Sequence, residues 1–217
     1  MSGGRSEPYS VFARAGLLLV VVALVAGAVL GGYFAARRPE VQLTPASGAL
    51  AVAPFRLVDQ LNRPVSEADL QGRVLVVSFV FTSCSVSCLQ VSHHMAEIQK
   101  AFEGANDVRL VSITVDPRED TPEALQAFGK KFGADPGNWL FLTGAATNVH
   151  GLLRKSFLSV DEPGTYNPMP GGYVDADRIA VVGRDGRVVG FARGTNPDCV
   201  DKVVRSVNAL RTGGTSR

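Results

Sequence analysis

The chain has 217 residues, of which 19% are charged and 46% apolar, and its net charge is +2 at pH 7. That mixture excludes a disordered or fibrous chain and leaves room for one ordinary domain with a real core, or two very small ones. The positive balance sits at the ends, since residues 52–211 hold 17 Lys/Arg against 18 Asp/Glu, a net of −1; a nucleic-acid partner is therefore not expected, because phosphate neutralisation needs basic charge in the folded part.

Residues 1–14 form a polar tail carrying Arg5 and Arg14. Ala15 to Ala36 is an uncharged run of 22 residues. As a helix it spans roughly 33 Å, enough for a bilayer core of about 30 Å. Tyr33, Phe34, Arg37 and Arg38 close it as interfacial anchors do. A cleaved signal peptide is the competing account, but the run exceeds the roughly 7–15 residues of a signal core. Two arginines near each end leave the orientation undecided by charge. Residues 37–51, with Pro39, Pro45, Ser47 and Gly48, read as a linker, 52–211 as the folded domain, and 212–217 as a tail.

Within 52–211 the elements alternate. Phe55–Val58 and the segment after Asn62-Arg63 predict a short hairpin. Val74–Phe81 is a continuous apolar, β-branched run, the pattern of a strand buried on both faces. A helix follows over 88–102, then a second buried strand over 108–114. Thr121-Pro122-Glu123 opens a helix to about Phe132, with Thr as N-cap and Pro at the first position. Trp139–Leu142 is a short strand and 147–157 a helix. Ile179–Val182 and Arg187–Phe191 flank the turn Asp185-Gly186, and Thr195/Asn196-Pro197 opens a last helix to about Leu210. The order predicts an α/β domain, a mixed sheet with helices on both faces, in the sequence of elements found in thioredoxin.

Cys84 and Cys88 sit between the first buried strand and its helix. A strand end opening into a helix N-terminus presents unpaired N–H groups and partial positive charge, which favour thiolate. Two thiols at that spacing can close a disulfide if the loop bends, or grip one soft ion such as Cu(I). Three cysteines are too few for a disulfide-stapled scaffold. Cys199, the third, reads as a small buried apolar residue.

The blocks Phe79-Val80-Phe81-Thr82-Ser83-Cys84-x-x-x-Cys88 with Met95, Ser112 to Glu123 around Asp116-Pro117, Trp139 to Gly144, and Asp185-Gly186-Arg187 resemble the Sco/SenC family, in family order, over roughly 52–210. The resemblance implies a thioredoxin-like domain tethered by one N-terminal helix to a membrane. The domain would lie on the periplasmic side of the bacterial inner membrane or in the mitochondrial intermembrane space. It implies copper bound by the two cysteines and a distant histidine. It also implies a role in maturing the binuclear copper centre of cytochrome c oxidase, as carrier, thiol reductant or both. The partners implied are the oxidase's copper-bearing subunit and other copper or thiol-redox proteins of that compartment, so the protein is expected to be an assembly factor or metallochaperone more than an enzyme.

The chain departs from the family where prolines usually follow the cysteines, with Ser85 and Leu89 instead. Counted back from Gly186, the position of the family histidine is Asp175, a hard oxygen donor poorly matched to Cu(I). The histidines present are His93, His94 and His150. His93 and His94 lie about one and a half turns beyond Cys88 on other helix faces, so packing or solvent is expected for them. His150 is expected in solvent. Met169 offers a thioether in the Tyr166–Gly172 loop, though packing on the domain accounts for it as well. Asp116, Asp120 and Thr121 are explained as helix-entry and capping residues.

The expected function is copper handling on Cys84 and Cys88, with Cu(I) preferred and dithiol–disulfide chemistry on the same pair. The alternatives are a disulfide oxidoreductase without copper, which Asp175 favours, and a thiol peroxidase, for which only Thr82 near Cys84 speaks. The 15–36 run generates the first prediction. Alkaline extraction should leave the chain in the membrane fraction with residues 15–36 still attached; a mature chain starting after residue 36, or release into the soluble fraction, would contradict the anchor.

Overall fold

The run Val74–Val80 has all seven residues buried and forms the middle of a six-stranded sheet. The structure is a computed structural model that describes residues 26, 43–45, 51–84, 87–157 and 177–213. The chain divides into two units, 1–40 and 41–217. Of the first, Ala26 alone is described, and it is helical. Among the described residues no helix is long and apolar enough to cross a membrane; the predicted anchor over 15–36 lies, Ala26 apart, outside them.

The second unit contains β1 (Thr44–Pro45), β2 (Arg56–Val58), β3 (Pro64–Ser66), α1 (Glu67–Leu70), β4 (Val74–Val80), α2 (Ser87–Ala101), β5 (Val108–Thr114), α3 (Pro122–Lys131), β6 (Trp139–Leu142), α4 (Ala146–Ser156), β7 (Arg178–Val182), β8 (Val188–Arg193) and α5 (Cys199–Thr212). The sheet order is β1-β8-β7-β4-β5-β6. β4, β5 and β6 are parallel, whereas β7, β8 and β1 pair antiparallel. The predicted mixed sheet with helices on both faces is present.

Strand alternation divides the core into two layers. Val74, Val76 and Val80 of β4 join Val91, Met95 and Ile98 of α2, Leu125 and Phe128 of α3, and Val203 and Val207 of α5. Leu75, Val77 and Phe79 point the other way, into a layer with Leu57 and Val65 of the hairpin and Val149, Leu152 and Leu153 of α4. Buried polar groups between the strands pair internally. Ser78 and Ser112 share a 2.7 Å hydroxyl hydrogen bond, and Trp139 Nε1 donates to Ser112 Oγ at 2.9 Å. Those bonds remove the penalty of burying unpaired polar atoms.

The β2–β3 hairpin closes the β6 edge of the sheet. Val58 and Thr143 exchange backbone hydrogen bonds at 2.9 Å. Buried Gln60 then pairs with β6 as a strand would: Nε2 donates to Trp139 O at 2.9 Å and Oε1 accepts from Phe141 N–H at 2.8 Å. An open edge would offer the same groups to another chain. Asp59 fixes the turn, accepting from Leu61 and Arg63 N–H and from the Arg63 guanidinium, while Asn62 takes the left-handed region at φ 57°.

Differences from the sequence expectation are local. Thr44 and Pro45, inside the stretch read as linker, pair with Phe191 and Gly190 of β8. α1 is one turn, too short to show a helical period. The last helix begins at Cys199 instead of near Thr195, because turns hold the preceding segment: Asn196 N–H donates to Arg193 O and Cys199 N–H to Asn196 O.

Gln60→Ala should destabilise the domain by about 2–4 kcal/mol, because it strips partners from two backbone groups at a buried edge. Urea unfolding with an unchanged slope checks it, and a loss under about 0.5 kcal/mol would show that the edge finds other partners.

Candidate functional site

β4 and β5 stop side by side, Val80 paired with Thr114, so the loops that follow both strands emerge at one end of the sheet. From β4 the chain enters a turn closed by Cys84 N–H donating to Phe81 O at 3.1 Å. Cys88 is the second residue of α2 and is fully buried, whereas Cys84 is partly exposed. Cys88 N–H donates to Cys84 Sγ at 3.3 Å, and Ser87 Oγ lies 3.8 Å from the same sulfur. The Cys84 sulfur thus sits where the unpaired N–H groups and positive dipole end of α2 converge. Both residues are thiols in this structure. Burial pushes the Cys88 thiol up to about 12, and the hydrogen bond and charge of Cys84 add to the rise. The junction therefore brings the predicted pair together and makes it asymmetric, one sulfur accessible and one sheltered.

Cys199 is fully buried in the α2–α5 layer, and burial, followed by the charge of Asp198, pushes its thiol up to about 12. This matches the expectation of a small core residue.

The histidines go elsewhere. His93 is exposed and packs edge-on against Phe132, with ring centres 5.1 Å apart. His94 Nδ1 lies 2.7 Å from Gly194 O; a carbonyl only accepts, so Nδ1 carries the proton. His150 is half-buried, with Nε2 3.4 Å from Val115 O, in place of the solvated position expected for it. The cause is the turn of α4 that faces the end of β5. Among the described residues no three His, Cys, Asp or Glu side chains gather closely enough to hold a metal ion. Asp175, Met169 and Ser85 lie outside the described residues. What is described offers two soft sulfur donors, a set suited to Cu(I) and ill suited to Mg2+ or Ca2+.

One residue near the pair differs from its sequence expectation. Thr121 does cap α3, its Oγ1 accepting from Ala124 N–H at 3.2 Å. Asp120 caps nothing and is 1% exposed. Its Oδ1 accepts from Thr82 N–H at 3.0 Å and Thr82 Oγ1 at 2.6 Å, and its Oδ2 accepts from Thr114 Oγ1. Thr114 Oγ1 in turn accepts from Asp116 N–H at 2.9 Å. Local sequence gave no signal for this, since Thr82 is 38 positions from Asp120.

The SCO1/SenC family model matches residues 44–209. The chain belongs to the SCO1/SenC family. The SCO1 protein homolog of Bacillus subtilis is 30% identical over 164 residues, 74% of this chain and 83% of that protein. Among solved structures, BsSco, a member of the Sco family of cytochrome c oxidase assembly proteins with an identified disulfide switch, is 29% identical with a TM-score of 0.64, covering 79% of this chain and 98% of its own. Copper-bound ScoI of Arabidopsis thaliana is 25% identical with a TM-score of 0.60, covering 76% and 100%. The thioredoxin-like Sco fold of this chain is thereby established.

The asymmetry of the pair generates a prediction. In the native, reduced protein iodoacetamide near neutral pH should modify Cys84 and leave Cys88 and Cys199 intact until the pH rises well past the ordinary thiol value of 9.0 towards about 12. Peptide mapping reads the sites, and equal labelling of Cys88 and Cys84 would contradict the burial argument.

Proposed function

We propose that this SCO1/SenC protein carries copper as cargo on Cys84 and Cys88 and serves assembly of the copper centre of cytochrome c oxidase, with thiol–disulfide exchange on the same pair. The observation that carries it is the Cys88 N–H hydrogen bond to Cys84 Sγ at the start of α2. That bond supports a reading in which the two sulfurs share one ion, with Cys84 Sγ beside a backbone donor of the kind that favours thiolate. Binding needs both sulfurs deprotonated, so a cuprous ion must displace the Cys88 proton, and affinity should rise with pH. The names of BsSco and of copper-bound ScoI agree with such cargo and such a destination.

The redox step balances simply. Cys84 thiolate attacks a disulfide of an oxidised partner, Cys88 thiolate resolves the mixed disulfide, and the pair yields two electrons and two protons as the partner becomes a dithiol. The half-exposed Cys84 takes the attacking role and sheltered Cys88 the resolving one. The intended partner is the copper-bearing subunit of the oxidase, together with other copper or thiol-redox proteins of the same compartment. Residues 15–36 would hold the domain at the inner membrane, on the periplasmic or intermembrane-space side, where disulfides persist.

A second reading, disulfide exchange without copper, draws on Asp175 at the place of the family histidine. Competitive titration of the full chain with both oxidation states separates the two. Wild type should bind one Cu(I) per chain through its two soft donors. Asp175→His should tighten Cu(II) by about tenfold or more by supplying an imidazole. If wild type binds neither ion while still exchanging disulfides, the copper-free reading replaces the first.

A further inference from the structure

The cysteine pair lies at the end of the sheet where β4 and β5 stop. At the opposite end the same two strands begin together, Val74 beside Val108. Arg73 immediately precedes β4 and Arg109 is the second residue of β5. Both line a cleft of about 600 Å³, together with Lys100 near the end of α2.

One wall of the cleft is held in place by hydrogen bonds. Gln99 clamps the turn after α3, its Nε2 donating to Gly133 O at 3.0 Å and its Oε1 accepting from Asp135 N–H at 2.9 Å. Asp135 O accepts from Asn138 and Trp139 N–H at 2.9 and 2.7 Å, and Asp135 Oδ1 accepts from Gly137 N–H at 2.8 Å. Gly137 O in turn accepts from Arg109 Nη1 at 2.6 Å. The guanidinium of Arg109 is thus fixed against a braced turn, a preorganised arrangement that a ligand need not order.

The charge around the cleft is left without partners. Among the described residues Arg73, Lys100 and Arg109 form no ion pair with a carboxylate. Arg73 gives an Nη to the backbone carbonyl of Asp69 at 3.1 Å. Arg109 Nε is buried and has no hydrogen-bond partner among the described residues. Glu103 and Asp135 also line the cleft, but Asp135 already serves Gly137. Burial, then the charge of Arg73, holds the Arg109 guanidinium below its ordinary value of 12.5, and the charge of Asp135 does not offset them. A guanidinium partly stripped of water beside a like charge is relieved by an anion.

We propose that this cleft binds a phosphate oxyanion, free or as the headgroup of an anionic lipid, between Arg73, Lys100 and Arg109. Three cations around one cleft suit a tetrahedral, multiply charged group better than a planar carboxylate, because its oxygens can meet separate donors. The site lies at the far end of the sheet from Cys84 and Cys88, so neither assignment depends on the other.

The test is the Nε–H signal of Arg109 in arginine-labelled full chain, held in a non-ionic detergent and titrated with inorganic phosphate. Burial of that N–H slows its exchange with water, and loss of the signal in Arg109→Gln assigns it. Phosphate should shift the signal along a saturable, one-site curve, whereas chloride and acetate at equal ionic strength should not. Lys100 is exposed, so Lys100→Gln leaves the core untouched; it should weaken the affinity about threefold. Arg109→Gln, followed by calorimetry, should weaken it about tenfold or more, as loss of a charge-assisted contact does. Arg154→Gln, in the exposed last turn of α4 outside the cleft, should leave it unchanged.

Mixed micelles of the same detergent with phosphatidylglycerol, compared with phosphatidylcholine, distinguish the two sources. A shift with phosphatidylglycerol alone assigns a lipid headgroup, and a shift with inorganic phosphate alone assigns a free phosphate. No saturable shift with either overturns the proposal. So does an equal response to chloride, an affinity unchanged in Lys100→Gln, or an equal loss in Arg154→Gln.

Discussion

β4 and β5 run parallel and in register, from Val74 beside Val108 to Val80 beside Thr114. Because the two strands end together, the loops that leave them share one end of the sheet, where open α/β sheets commonly place their chemistry. Every feature of the site follows from that coincidence. Thr82 leaves β4 two residues beyond its end, Asp120 leaves β5 six residues beyond its end, and the two meet. The seven buried residues of β4 hold the strand end in place, with a helical layer on one face and the hairpin and α4 on the other. A site on such a strand end inherits the rigidity of the core, while the cysteines themselves lie at the start of α2.

The chemistry of the pair is a matter of unequal burial. Cys84 is partly exposed beside the N–H groups of α2; Cys88, one helical turn on, is enclosed. Desolvation disfavours the charged form of the inner thiol, and the outer sulfur next to it disfavours it further. The same asymmetry would serve both tasks proposed for the pair. An accessible sulfur can meet a partner first, and a sheltered one can complete the exchange or close around a soft ion without exposing it to water.

How much of this the sequence disclosed depends on the range of the interaction. Periodicity located β4, β5 and β6 to within a residue, since a strand buried on both faces reads as an unbroken apolar run. The Thr121-Pro122 helix start was legible because a cap acts within three residues. The strand–helix position of Cys84 and Cys88 was legible for the same reason. β1 was hidden because two residues in a proline-bearing stretch carry no period, and their partner is Phe191 and Gly190 across the sheet. Asp120 reads as a helix-entry residue in sequence because its partner Thr82 is brought to it only by the parallel pairing of β4 and β5. Likewise His150 looks polar and surface-bound in sequence, and only the docking of α4 onto the end of β5 turns it inward.

X-ray absorption at the copper edge, on the full chain loaded with one equivalent of Cu(I), tests the central claim most directly. The account predicts a copper environment of sulfur donors that is lost when Cys84 and Cys88 are replaced by serine and is unchanged when Cys199 is. A copper environment without sulfur, or one that survives loss of both cysteines, would contradict it.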